Sequence, residues 1–183
     1  MSVQSAHGPG TGKRATITAR GLTKQYGRTV AVSDLSFTVR PGLVTGFLGP
    51  NGAGKSTTMR MLIGLDQPNA GLALVNGRPY RELRQPLREV GAMLEAKSFH
   101  PGRSARAHLR ALAVSNAIPD RRVDEVLGIV GLESAGHRRA GKFSLGMAQR
   151  LGIAAALLGD DPKPWIRTSA PEMIGGSTWG VTR

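Results

Sequence analysis

An α/β fold is predicted for this 183-residue chain by two observations. Its first half alternates short strand-like stretches with one glycine-rich turn that leads into a helical pattern, and its second half is helical almost throughout. Residues 1–14, small and polar, read as a disordered leader with no signal-peptide core. Residues 15–19 (ATITA) and 34–40 (DLSFTVR) alternate apolar and polar side chains, as half-buried strands do. Residues 43–48 (LVTGFL) are nearly all apolar, which predicts a strand covered on both faces. Met59, Met61, Leu62 and Leu65 then recur at helical spacing, so a helix is expected over 55–65. Residues 71–75 predict a strand closed by a turn at Asn76-Gly77, and 90–94 a further short strand. Ala107, Leu109, Leu112 and Ala113, then Val123, Val126, Leu127 and Val130, mark two helices separated by Pro119. A last helix is expected over 145–158. From Gly159 the periodicity stops, so 160–183 reads as an aberrant tail without regular structure.

Composition excludes several classes. There is no cysteine, so neither a disulfide framework nor a thiolate zinc site is possible. That suits a reducing cytoplasm. No apolar run approaches the roughly 18–20 residues of a membrane span. The net charge of +13 raises nucleic acid as a partner, yet arginines such as Arg81, Arg88, Arg103 and Arg110 are scattered and aromatic residues make up 4% of the chain. A solvated basic face is the plainer reading, and no nucleic-acid partner is expected. His7, His100, His108 and His137 lack the spacing of a metal pair and are expected on solvated surface.

The glycine-rich turn carries the chemistry. Residues 49–56 (GPNGAGKS) fit G-x-x-x-x-G-K-[ST] between a predicted strand and a predicted helix. Glycines let successive backbone N–H groups turn inward toward phosphate oxygens, and the start of the helix adds its positive dipole end. Lys55 is placed to reach β- and γ-phosphates, and the Ser56 hydroxyl to ligate Mg²⁺. An ordinary tight turn would not need all of these.

GPNGAGKSTT, followed by FSLGMAQRLGIAAAL further along, resembles the ATP-binding subunit of an ABC transporter, of the antibiotic-export or bacitracin-resistance type. The likeness spans residues 15–159, with its helical subdomain at about 100–150. It implies a P-loop NTPase core, here incomplete, with an N-terminal antiparallel β layer and a small helical subdomain. It also implies ATP and Mg²⁺ as ligands. Tyr26 stands where the family stacks an aromatic on adenine; Gly49, Asn51, Gly52, Gly54, Lys55, Ser56 and Thr57 would hold the phosphates. Glu95 stands where most members carry a glutamine that touches Mg²⁺ and the attacking water, so Ser56 and Glu95 are the implied metal ligands and Glu95 the implied catalytic residue. Ser144 and Gly146 stand in the signature motif, which departs from the common L-S-G-G-Q at Leu145 and Met147. In the family this helix end grips nucleotide bound to the opposite subunit, although a serine there is also an ordinary helix cap. The implied partners are a transmembrane permease and a second subunit, either a copy of this chain or an intact relative. The implied place is the inner face of the cell membrane.

The resemblance breaks after the signature helix. Family members continue with an aliphatic run, Asp-Glu-Pro, and later a strand ending in histidine; here the chain reads KPWIRTSAPE over 163–172. Truncation after the signature motif, by a frame shift or a deletion, is the expectation. ATP hydrolysis should fail without the Asp-Glu pair. Strand 43–48 should lose parallel neighbours and expose apolar surface.

Overall fold

The computed structural model describes residues 2–7, 16–40, 43–95, 98–159 and 165–167. Its first layer is an antiparallel sheet in the order β3 (Thr29–Val39), β2 (Ile17–Tyr26), β5 (Ala70–Val75). Both β2 and β3 are longer than the alternation predicted, because bulges interrupt the period-2 pattern. The register shifts between Ala19 and Leu22, where Gly21 takes φ 58°, and Asp34 on β3 takes φ 46°. Side chains close these irregularities: Ser36 Oγ accepts from Gly21 N at 2.8 Å, and Thr23 Oγ1 from Asp34 N at 3.0 Å. A bulge moves every later side chain to the other face, so alternation alone ends the strand too soon.

Strand β4 (Leu43–Leu48) leads into α1 (Lys55–Leu62). The helix stops three residues before the predicted end. Gly64 at φ 69° lets Gly64 N bond Met61 O at 3.2 Å and Leu65 N bond Arg60 O at 2.9 Å, a Schellman closure that leaves Leu65 exposed. Helix α1 buries Met59 and Leu62 with Ile63 against Ile17, Val75, Leu83 and Val90, joining the antiparallel sheet to β6 (Gly91–Met93). Phe37 of β3 meets Phe47 of β4 edge to face at 4.7 Å.

A second core is wholly helical. Helices α2 (Ala105–Ser115), α3 (Arg121–Ile129) and α4 (Leu145–Ala156) enclose Leu109, Ala113, Val123, Val126, Leu127 and Leu151. Helix α3 buries Val123, Val126 and Leu127 as its periodicity marked, whereas on α2 the marked Ala107 is exposed and Ala105, one turn before Leu109, is buried instead. Arg122, which sequence alone assigns to a solvated face, instead ties down a helix end, and Arg150 does the same. Arg122 donates to Leu157 O at 3.0 Å beyond α4, and Arg150 to Gly131 O at 3.2 Å beyond α3. A guanidinium at a helix C-terminus satisfies orphan carbonyls and meets the negative end of the dipole.

Strand pairing departs from expectation at both ends of the chain. Residues Ser2–His7, expected in a disordered leader, form β1 and pair antiparallel with β4, from Ser2 opposite Leu48 to His7 opposite Leu43. Trp165–Arg167, inside the expected unstructured tail, form β7 and run parallel to β6. An unpaired row of backbone donors and acceptors at a sheet edge recruits whatever chain can reach it, and neither segment announces this in its side-chain pattern. The other residues of the expected leader and tail lie outside the described residues. Among the described residues β4 has no parallel neighbour, and Leu48 is 49% exposed, so this strand is not covered on both faces.

Candidate functional site

The loop between β4 and α1 is built on glycines in the left-handed region. Gly52 and Gly54 lie at φ 84° and 79°. Gly54 has a further reason that sequence reasoning missed: a Cβ there would sit 2.2 Å from the Ala31 carbonyl oxygen and 2.8 Å from Val32 Cγ2. The loop is therefore pressed onto β3. Helix α1 begins at Lys55 with Gly54 as its N-cap, no side-chain cap and no acidic residue in its first turn. Its first N–H groups have no intrahelical partner and no acidic side chain stands against its dipole, features that suit the mouth of the loop to an anion.

Lys55 Nζ bends back over this mouth, donating to Gly49 O and Pro50 O at 2.7 Å each. An anion entering the loop meets the ammonium at once. Gly49, Asn51, Gly52 and Ser56 are all exposed, Thr57 is half-buried behind them, and Thr58 anchors the helix start from inside by donating to Gly54 O at 2.9 Å.

Tyr26 stands at the end of β2, 47% exposed rather than packed in the sheet. Its hydroxyl donates to Asp66 Oδ2 at 2.6 Å. Asp66 in turn accepts from Arg60, Nε at 2.9 Å and Nη2 at 3.2 Å. The Lys24 ammonium lies 5.0 Å from the ring centroid and donates to Gln67 O at 2.7 Å. Hydrogen bonds from Arg60 and then Tyr26 hold the Asp66 carboxyl below its ordinary value of 3.8, and the same carboxylate raises the Tyr26 phenol. The sign follows directly. A depressed carboxyl stabilises the fold above its unfolded value and loses that contribution as pH falls through the folded one. The melting temperature of the wild type should therefore exceed that of Asp66→Asn at neutral pH, with the gap closing as pH drops from about 5 to about 2. A gap independent of pH would show that the carboxylate charge is not what matters.

Glu95 follows β6 and is exposed, and its charge acts on Arg60 of α1. Glu95 also lines one end of a half-open groove of about 180 Å³ between β6 and the helices, with Phe99, His108, Leu112 and Gly152. His108 is not on solvated surface as its sequence suggested. It is half-buried and set edge-on to Phe99 at 6.1 Å, and burial, then the Arg103 charge, lowers its pKa below 6.5. His100 and His137 are exposed, and the side chain of His7 lies outside the described ones. Among the described residues no three His, Asp or Glu side chains converge as a metal cage. Ser56 offers an exposed hydroxyl and Glu95 an exposed carboxylate, oxygen groups of the kind that Mg²⁺ takes beside phosphates.

At the other end of the chain, Ser144 caps α4, its Oγ accepting from Met147 N at 3.3 Å. Ser144, Leu145 and Gly146 are exposed, and a Cβ at Gly146 would meet nothing within 4 Å. The helix end is open to a second molecule. No described contact joins it to the Lys55 loop of the same chain.

Comparison with known proteins accords with this geometry. A family model described as ABC transporter matches residues 32–163. Bacitracin transport ATP-binding protein BcrA of Bacillus licheniformis is 45% identical over 139 residues, which are 75% of this chain and 45% of that protein. Uncharacterized ABC transporter ATP-binding protein YhcH of Bacillus subtilis is 39% identical over 156 residues, 84% of this chain and 50% of that one. The chain thus spans about half the length of the curated relatives it matches. A solved ATP binding subunit of an ABC transporter superposes with TM-score 0.67 at 26% identity, over 82% of this chain and 65% of that one. CbiO1 from Clostridium perfringens, part of the transporter complex cbiONQ, does so with TM-score 0.63 at 22% identity, over 85% and 65%, a likeness of fold alone.

Proposed function

This chain belongs to the ABC transporter family, and from that premise we propose that it is an ATP-binding component in which residues 15–159 form the nucleotide-binding domain and about 100–150 its helical part. The observation that carries the reading is the loop itself: left-handed glycines, an uncapped helix start, and an ammonium bridging two loop carbonyls at 2.7 Å. Tyr26 would carry the base, Gly49 to Thr57 the phosphates, and Ser56 with Glu95 the Mg²⁺. Isothermal titration with ATP, with and without Mg²⁺, tests it. Saturable binding that tightens with Mg²⁺ supports the reading; no heat at millimolar ATP sinks it.

Hydrolysis is a separate matter. Residues 159–183 contain no Asp-Glu pair behind an aliphatic run, and Asp160-Asp161 lie too early, before a proline that resembles the family's own Gly-Asp-Pro. Loss of the groups that hold Mg²⁺ and polarise the attacking water costs several orders of magnitude. Phosphate release by this chain alone should match that of Lys55→Ala. Release that needs Mg²⁺ and vanishes in Lys55→Ala would overturn the expectation.

Ser144 and Gly146 would meet nucleotide bound to a second subunit, in a head-to-tail dimer. The transport reading follows BcrA and its kind: ATP binding coupled to export through a membrane-spanning partner, with this chain at the inner membrane face. No helix among the described residues is long and apolar enough to cross a membrane. A second reading is favoured by the missing Asp-Glu pair: a non-hydrolysing subunit that completes the site of an intact relative through its own signature end. Co-purification with a full-length subunit in ATP, lost in Ser144→Arg, would select it. A chain that stays monomeric in ATP would exclude it.

A further inference from the structure

The base platform and the phosphate loop come from separate parts of the chain, yet one small network ties them together. Tyr26 ends β2 and is half exposed, so packing alone does not hold its ring. Its hydroxyl is bonded to Asp66 at 2.6 Å, forty residues away in sequence. Asp66 sits just past the C-terminus of α1, and Arg60 grips both its carboxylate oxygens from the last turn of that helix. A two-point guanidinium–carboxylate contact fixes orientation as well as distance. Lys55 and Ser56 begin the same helix, Lys55 five residues before Arg60, a rise of about 7.5 Å. Ring and loop are therefore fastened to opposite ends of one rigid rod.

We propose that Asp66, braced by Arg60, is a positioning residue that locks the Tyr26 ring to α1 and so sets the base platform at a defined distance and angle from the phosphate loop. The proposal rests on the reading of Tyr26 as the surface on which the base stacks. Stacking energy depends on ring placement, whereas phosphate binding does not depend on the ring at all. Asp66 acts through Tyr26 and touches no ligand itself.

The test compares ATP with inorganic tripolyphosphate, which has the phosphates and lacks the base, on the full chain with Mg²⁺ present. Tyr26→Phe keeps the ring and removes the hydroxyl; Asp66→Ala removes its acceptor. Each should weaken ATP binding by about three- to tenfold and leave tripolyphosphate binding unchanged. The double variant should be no weaker than either single one, because both cut the same bond. Tyr26→Phe and Asp66→Ala that bind ATP like the wild type, while Tyr26→Ala loses ATP affinity, would overturn the proposal and leave the platform standing. A matching loss of tripolyphosphate in Asp66→Ala would also overturn it, since the carboxylate would then be supporting the loop. Tyr26→Ala with ATP and tripolyphosphate affinities both unchanged would remove the platform reading beneath it.

Discussion

Lys55→Ala should weaken ATP binding roughly a hundredfold while leaving the melting temperature nearly unchanged. The two effects separate because of what Lys55 contacts. In the empty loop its ammonium is shared between Gly49 O and Pro50 O, both on exposed residues. Alanine frees those carbonyls to water, so stability should move by no more than about 0.5 kcal/mol. A polyphosphate replaces the carbonyls as acceptor, and hydrogen bonds to charged groups are worth about 1.5–3 kcal/mol each. That gain disappears with the side chain. Titration calorimetry and thermal melts on the same preparations decide the matter. ATP binding at wild-type strength would mean the loop is not the phosphate site, and a collapse of the melting temperature would make Lys55 a structural pin instead.

Gly91→Ala should be strongly destabilising. A Cβ at Gly91 would sit 1.9 Å from the Ala156 carbonyl oxygen and 2.7 Å from its carbon, both backbone atoms at the end of α4. A flexible side chain can turn away from such a contact; a helix backbone cannot. Strand β6 and α4 would have to part, opening the seam between the two cores. Overpacking of this kind costs about 3 kcal/mol, and for a chain of this size the melting temperature should fall by roughly 6–12 °C. Gly46→Ala is the matched control, since among the described residues its methyl meets nothing within 4 Å. Its effect should stay within about 0.5 kcal/mol. Equal melting temperatures for the two variants would show that β6 and α4 are not packed this closely.

What could be read in advance follows sequence distance. The phosphate loop was legible because its parts are contiguous: the glycines, Lys55 and Ser56 lie within eight residues, and the chemistry needs only that strand precede and helix follow. The cap at Ser144 was legible for the same reason, as was the buried stripe of α3, set by a period of 3.6 residues; on α2 the pattern pointed to Ala107, which is exposed, where Ala105 is buried. Tyr26 as a site residue came from family resemblance, and its bond to Asp66 came from nothing in the sequence. His108 was misplaced because a histidine on a helix does not reveal whether Phe99 will fold over it.

The chain by itself thus determined every element whose pattern is local: where α1 starts, which helix faces are apolar, and that the loop can hold an anion. Tertiary structure decided the rest. It made Gly54 obligatory against Ala31 and Gly91 against Ala156, brought Asp66 to Tyr26, and gave β4 the partner β1 in place of parallel neighbours. The physical reason is that side-chain periodicity and backbone dihedrals act over a few residues. Steric closeness and strand pairing instead depend on which distant segment arrives, and that choice is made by the whole fold at once.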